Sequence, residues 1–216
     1  IFVQPPQPSF PENPQRESWS KWHWLDAVAD WNWPGQENKT LKVTAYSSCE
    51  EVELFLNGIS LGRKPTNRDT KFMASWTVPY QAGELKAIGF TSGKEVNHSV
   101  LSTASRPVQI SLKADRNKIR ADDQDLSYID VELKDAERRI KPKADNLVRF
   151  SIHGPATIVG VANANPVSLE SYQQPQRRAW KGRCMVVIKS SKSPGKITVT
   201  ASSAGLKAAT VTLFSE

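Results

Sequence analysis

The chain has 216 residues, 38% of them apolar, and 29 Lys and Arg against 22 Asp and Glu give a net charge of +7. That length suits one or two domains, and no apolar run approaches the ~20 residues of a membrane-spanning helix. The charge is unevenly placed: residues 1–106 hold 11 basic and 11 acidic residues, so residues 107–216 hold 29 − 11 = 18 and 22 − 11 = 11 and carry the whole excess. A nucleic-acid surface would interleave aromatics with those basic residues. The tryptophans cluster in the neutral half instead, which argues against such a partner. Ordinary scatter of solvated Lys and Arg accounts for the excess, and an acidic or sulfated polysaccharide is the partner it would otherwise suit.

Residues 1–18 contain Pro5, Pro6, Pro8, Pro11 and Pro14. Proline fixes φ and lacks an N–H donor, so an extended or irregular lead-in is expected. The opening IFVQPPQPSF has neither the basic start nor the apolar core of a signal peptide, and the chain reads as though cut from something longer. WSKWHWLDAVADWNW follows, with Trp19, Trp22, Trp24, Trp31 and Trp33. Pro34-Gly35 ends any element begun there, so residues 1–30 are assigned to a linker or lead-in.

From Leu41 the pattern is β. Leu41, Val43 and Ala45 alternate, as do Val52, Leu54 and Leu56, which puts each set on one strand face. Asn57-Gly58 then separates that strand from Ile59 and Leu61, the strongest short-range hairpin signal, because a type I′ turn needs positive φ at both central residues. Trp76, Val78 and Tyr80 form the next inner row. After ELKAIGF and a turn at Ser92-Gly93, Val96, His98 and Val100 are assigned to the last inner row. Arg106-Pro107 marks a boundary. Beyond it come Val108, Ile110 and Leu112; Ile129, Val131 and Leu133; Val148, Phe150 and Ile152; Ile158; Met185 and Val187; Ile197, Val199 and Ala201; and Val211 and Leu213. The fold class is all-β: two tandem immunoglobulin-like β-sandwiches, residues 31–106 (or from 19) and 107–216, each near the ~100 residues of that fold.

Chemistry-bearing motifs fail one by one. No G-x-S-x-G exists, and GFTSGK at 89–94 has the wrong spacing for a phosphate loop and leads into a strand. Asp122, Asp123 and Asp125 invite a calcium reading, but counting from Asp123 puts Tyr128 at the sixth place and Lys134 at the twelfth. His23, His98 and His153 have no second ligand at a zinc-like interval, and Cys49 and Cys184 are too far apart in sequence to suggest a framework. Neither a metal nor a cofactor is implied. Glu51 and Glu53 are about 7 Å apart along one strand, yet on a polar face where neither would be desolvated. Tryptophans are the remaining candidates, since aromatic rings stack on sugar faces. Trp31, Trp33 and Trp76 are assigned to the core or to domain packing, and Trp19, Trp22 and Trp24 stand as the candidate carbohydrate-binding residues.

Several strings resemble the C-terminal region of family 2 glycoside hydrolases, the β-galactosidase-like enzymes of gut Bacteroidetes. WNWPGQENKTLKVTAYSSCEEVELFLNGISLGRK and WTVPYQAGELKAIGF resemble the first domain after their catalytic barrel. IRADDQDLSYIDVELKDAERRIKPKADNLVRFSIHGPATIVGVANANPVSLESYQ, RRAWKGRCMVVIKSS and PGKITVTASSAGL resemble their terminal immunoglobulin-like domain. The match runs roughly from residue 31 to 213. Family spelling has Gly where Asp123 and Arg138 stand, and is Gly-rich where this chain has Val161 to Asn165. The resemblance implies a retaining two-glutamate glycosidase, with both glutamates in a (β/α)₈ barrel upstream of residue 1. This chain would then be a non-catalytic pair of domains in a periplasmic or extracellular enzyme, with that barrel as partner. A free-standing carbohydrate-binding module and an adhesin-like spacer are the alternatives.

Overall fold

A computed structural model describes residues 1–7 and 26–216. The chain divides into two compact units, Ile1–Thr103 and Ala104–Glu216. All of the named elements are strands, and each unit is a β-sandwich.

In the first unit β1 (Phe2–Val3), β2 (Thr40–Tyr46) and β5 (Met73–Pro79) form one sheet in the order β1-β2-β5. The facing sheet, in the order β4-β3-β6-β7, uses β3 (Glu51–Leu56), β4 (Ile59–Pro65), β6 (Glu84–Thr91) and β7 (Lys94–Ser102). The rows Leu41/Val43/Ala45, Val52/Leu54/Leu56 and Trp76/Val78/Tyr80 are all buried and meet in one core. The Asn57-Gly58 turn has φ of 52° and 80°, and Leu56 pairs with Ile59 across it, as a type I′ hairpin requires.

Two expectations need correction here. The segment assigned to a lead-in begins instead as part of the sandwich: Phe2 and Val3 pair antiparallel with Thr44 and Val43, and Val3 is buried against Trp31 and Val43 in the core. The inner row of β7 is displaced by one residue. Val96, His98 and Val100 are exposed, while Leu101, opposite the buried Leu85, packs on the core. An edge strand buries little, so its apolar residues do not report parity.

The second unit packs β12-β14-β10-β8 against β13-β11-β15-β16-β9. These strands are β8 (Gln109–Ala114), β9 (Lys118–Ile119), β10 (Leu126–Lys134), β11 (Leu147–His153), β12 (Ala156–Ala162), β13 (Gln176–Arg178), β14 (Arg183–Ser190), β15 (Gly195–Ser202) and β16 (Ala209–Ser215). Ile129, Val131, Leu133, Val148, Ile197, Val199, Ala201 and Leu213 line its core as their alternation predicts. β14 does not follow the expected parity: Cys184, Val186 and Ile188 are buried, and Met185 and Val187 lie on the opposite face. RCMVVIKS is apolar at both parities, so pairing decides. Val131 lies opposite Cys184, Ile129 opposite Val186 and Ser127 opposite Ile188.

Candidate functional site

Trp19, Trp22 and Trp24 lie outside the described residues. The remaining indoles of the first unit are consumed by the fold. Trp31 is fully buried, donates Nε1–H to the Gln81 carbonyl at 2.9 Å and meets the Tyr80 ring edge-on at 5.0 Å. Trp76 is buried and donates to the Gly62 carbonyl at 3.3 Å. Trp33 is half-buried, packs against the same core and donates to the Asp30 carbonyl at 3.2 Å. A sugar platform needs an open ring face with a free edge, which the buried Trp31 and Trp76 do not offer. A shallow hollow of about 400 Å³ lies between Pro5-Pro6 and β2/β5, floored by Leu41 and Trp76 and rimmed by Lys42 and Thr77. Among the described residues no carboxylate, imidazole or thiol lines it.

The carboxylates of β3 are charge-balanced surface groups. Arg63 reaches Glu53 at 3.1 Å and Glu51 at 3.5 Å while its guanidinium lies over Phe90, 3.6 Å from the ring centroid. The Ser60 hydroxyl donates to Glu53 Oε1 at 2.6 Å. That bond first, and then Arg63, hold the Glu53 carboxyl below its ordinary range against the opposing effect of burial. A group held ionised in this way is unsuited to donate a proton to a leaving group.

The Asp122–Asp125 turn likewise spends its oxygens internally. Asp122 Oδ1 accepts from the backbone N–H groups of Gln124 at 2.9 Å and Asp125 at 2.8 Å. Asp125 accepts from the Arg120 N–H at 2.8 Å and pairs with Arg116 at 3.2 Å. Asp123 adopts φ of 62° and its carboxylate faces Lys189 at 3.3 Å. Among the described residues no group of three or more His, Cys, Asp or Glu is placed to hold a metal ion.

The feature that sequence reasoning missed is Arg177, on β13 and fully buried. Its Nη1 donates to the Glu170 carbonyl at 2.9 Å and its Nη2 to Asn163 Oδ1 at 3.0 Å. Its Nε has no hydrogen-bond partner among the described residues, with Glu170 Oε2 3.8 Å away. Tyr172 covers the guanidinium, its ring centroid 4.6 Å from Cζ. A buried cation is costly unless its surroundings are fixed to receive it. The sequence signal was a basic residue at inward parity, hidden because β13 is too short to establish alternation.

The fold defines a pair of β-sandwich domains. The second unit matches the family model described as glycoside hydrolase family 2 C-terminal domain 5 over residues 110–212. Residues 38–97 of the first match a domain of unknown function (DUF4982). The chain thus belongs to the C-terminal region of glycoside hydrolase family 2. It is 39% identical over 202 residues to a β-galactosidase of Bacteroides ovatus, a match covering 93% of this chain and 23% of that protein. A putative β-glucuronidase of Formosa agariphila is 29% identical over 89% of this chain and 19% of its own length. The crystal structure of a family 2 glycosyl hydrolase from Bacteroides cellulosilyticus superposes with a TM-score of 0.92 at 46% identity, covering 100% of this chain and 28% of that one. The chain therefore spans 19–28% of the length of these relatives.

Proposed function

We propose that this chain is the non-catalytic C-terminal part of a retaining β-galactosidase of family 2. Its two sandwiches would brace the catalytic barrel, shape the rim of the substrate cleft or mediate assembly, in a periplasmic or extracellular enzyme. The observation that carries this reading is the asymmetry of coverage: 93% of this chain is matched by only 23% of the Bacteroides ovatus β-galactosidase. The carboxylates of the two units point the same way, since those described above are ionised, paired or bonded to backbone rather than convergent on a cleft. The test is hydrolysis of p-nitrophenyl β-galactoside and β-glucuronide by the complete gene product and by residues 1–216 alone. Cleavage of the galactoside by the complete product only is expected. Cleavage by residues 1–216 would overturn the accessory role, and cleavage of the glucuronide alone would reassign the substrate.

The Trp19/Trp22/Trp24 cluster supports a second reading, a carbohydrate-binding module, because the other three indoles of that half serve the core. Affinity electrophoresis against neutral galactans, mannan, xylan and acidic polysaccharides tests it. Retardation abolished by Trp19→Ala, Trp22→Ala or Trp24→Ala would establish the module, and unretarded migration on every glycan would remove it.

A further inference from the structure

The first part of the segment between β12 and β13, residues 163–170, reverses the pattern of an ordinary solvated loop. Asn163, Asn165, Ser168 and Glu170 are half-buried and bonded within the fold, while Ser171, Gln173 and Gln174 beyond them stay in solvent. Asn163 accepts from Arg177 and donates Nδ2–H to the Arg178 carbonyl at 2.8 Å. Asn165 Oδ1 accepts from the Val167 N–H at 3.1 Å. Glu170 accepts the Arg178 N–H at 3.2 Å and the Ser168 hydroxyl at 3.3 Å. Its apolar side chains point to water: Leu169 is 100% exposed, Val167 78% and Tyr172 56%. Pro166 beside them is exposed as well. The Tyr172 carbonyl, accepting from Val161 N–H at 2.7 Å, ties the far side of the loop back to β12. A fully buried arginine, an ion pair and this set of hydrogen bonds hold an apolar tip in place that gains nothing from water. Such a rigid, apolar presentation is the mark of a contact surface.

We propose that this tip, Pro166–Val167 with Leu169 and Tyr172, docks on the catalytic portion of the same polypeptide. The inference rests on the accessory-domain reading above and names the surface through which it operates. Three observations select that occupant. Residues 163–175 contain no Lys or Arg and their one carboxylate is spent on Ser168, the Arg178 N–H and Arg177, so nothing on the loop attracts a polyanion. The tip's one aromatic ring has Arg177 on its face, which disfavours a stacked sugar. Finally, the patch is small. A stable interface between separate chains buries roughly 800 Å² per partner from some 20–30 residues, far more than four side chains supply. A domain held on the same chain needs no such area, because linkage supplies a high effective concentration. In the relatives, about three-quarters or more of the chain lies outside the matched region, and residues 110–212, which include this loop, match the family's own domain.

Hydrogen exchange read by mass spectrometry on peptides spanning residues 163–175 tests the contact directly. In the complete gene product these amides should exchange more than about tenfold more slowly than in residues 1–216, the signature of a covered segment. The double variant Val167→Ser/Leu169→Ser should abolish that difference and lower the unfolding midpoint of the complete product. It should leave the midpoint of residues 1–216 unchanged, because both side chains are already in water there. Equal exchange in the two proteins would overturn the proposal. So would a concentration-dependent dimer of residues 1–216 that the double variant dissolves, which would make the occupant a second copy. The exchange readout does not use activity. A complete product that cleaves neither glycoside removes the functional reading, and protection of the loop still decides whether it is covered.

Discussion

Asp135 and Arg139 close the β10 turn with a buried carboxylate under a guanidinium that remains partly in solvent, at 2.8 Å from Nη2 and 2.9 Å from Nε. The same carboxylate accepts the backbone N–H of Arg139 at 2.8 Å and of Ser105 at 3.0 Å. Burial alone would raise this acid. The two N–H donors and the guanidinium outweigh it and hold the carboxyl below its ordinary range.

Removing that charge should be costly. Asp135→Asn leaves donors facing an uncharged amide and should destabilise the second unit by about 3 kcal/mol, measurable by urea titration. The pH dependence has a definite sign. Because the folded pKa is depressed, the stabilisation is present above the unfolded value of about 3.9 and is lost as pH falls below about 4. The gap between wild type and Asp135→Asn should therefore narrow between pH 5 and pH 3. A constant gap would mean that the carboxylate's charge contributes nothing.

Gly83 is the second sensitive point. It adopts φ of 137°, and a Cβ there would sit 1.9 Å from Asn57 Oδ1. Asn57 cannot easily give way, since that oxygen accepts the Glu84 N–H at 2.8 Å and its amide donates to the Ala82 carbonyl at 3.2 Å. Gly83→Ala should cost the first unit about 1–3 kcal/mol. Urea unfolding followed by tryptophan emission from the Trp31/Trp76 core checks it, and an unchanged midpoint would refute the close approach.

Much of this fold was legible in the sequence, and the exceptions have physical causes. Asn57-Gly58 declared its hairpin because few residue pairs tolerate positive φ twice, and Ser92-Gly93 did the same with φ of 50° and 75°. Asp123 and Arg138, noted only as departures from the family spelling, adopt φ of 62° and 64°, left-handed turns that the sequence reading did not mark. Parity was misread where the pattern carries no information. β14 is apolar on both faces, and β7 lies at an edge. Arg177 and the 163–175 loop were invisible for a sharper reason: they invert the rule on which hydrophobic patterning rests, burying a cation and exposing leucine. The three candidate tryptophans, Trp19, Trp22 and Trp24, were legible as a cluster and lie outside the described residues.

Cys49 and Cys184 are both free and buried. Burial in the core of the second unit pushes the Cys184 thiol up to about 12, and the thiolate is the reactive form. In native protein at pH 8, Cys184 should resist a disulfide-exchange reagent such as Ellman's, and both thiols should react once denaturant is added. The rate in native buffer then reports transient opening of the second unit. Rapid native labelling at Cys184 would contradict its burial.

The paired glutamates of β3 supply a functional control. Glu51 and Glu53 have the spacing that invites a catalytic reading, but Arg63 spans both, Ser60 holds Glu53 ionised, and the guanidinium is seated on Phe90. If the catalytic pair lies elsewhere in the complete enzyme, Glu51→Gln and Glu53→Gln should leave kcat and KM for the galactoside unchanged within error. Their effect should fall on local stability, where exposed ion pairs contribute about 0.2–1 kcal/mol each, and should shrink as salt is added. Arg63→Lys should cost more than either glutamate change, since an ammonium cannot bridge two carboxylates in a plane while lying flat on a ring. A large loss of kcat in either glutamate variant, with the unfolding midpoint intact, would place β3 in the catalytic cleft and overturn the accessory assignment of the first unit.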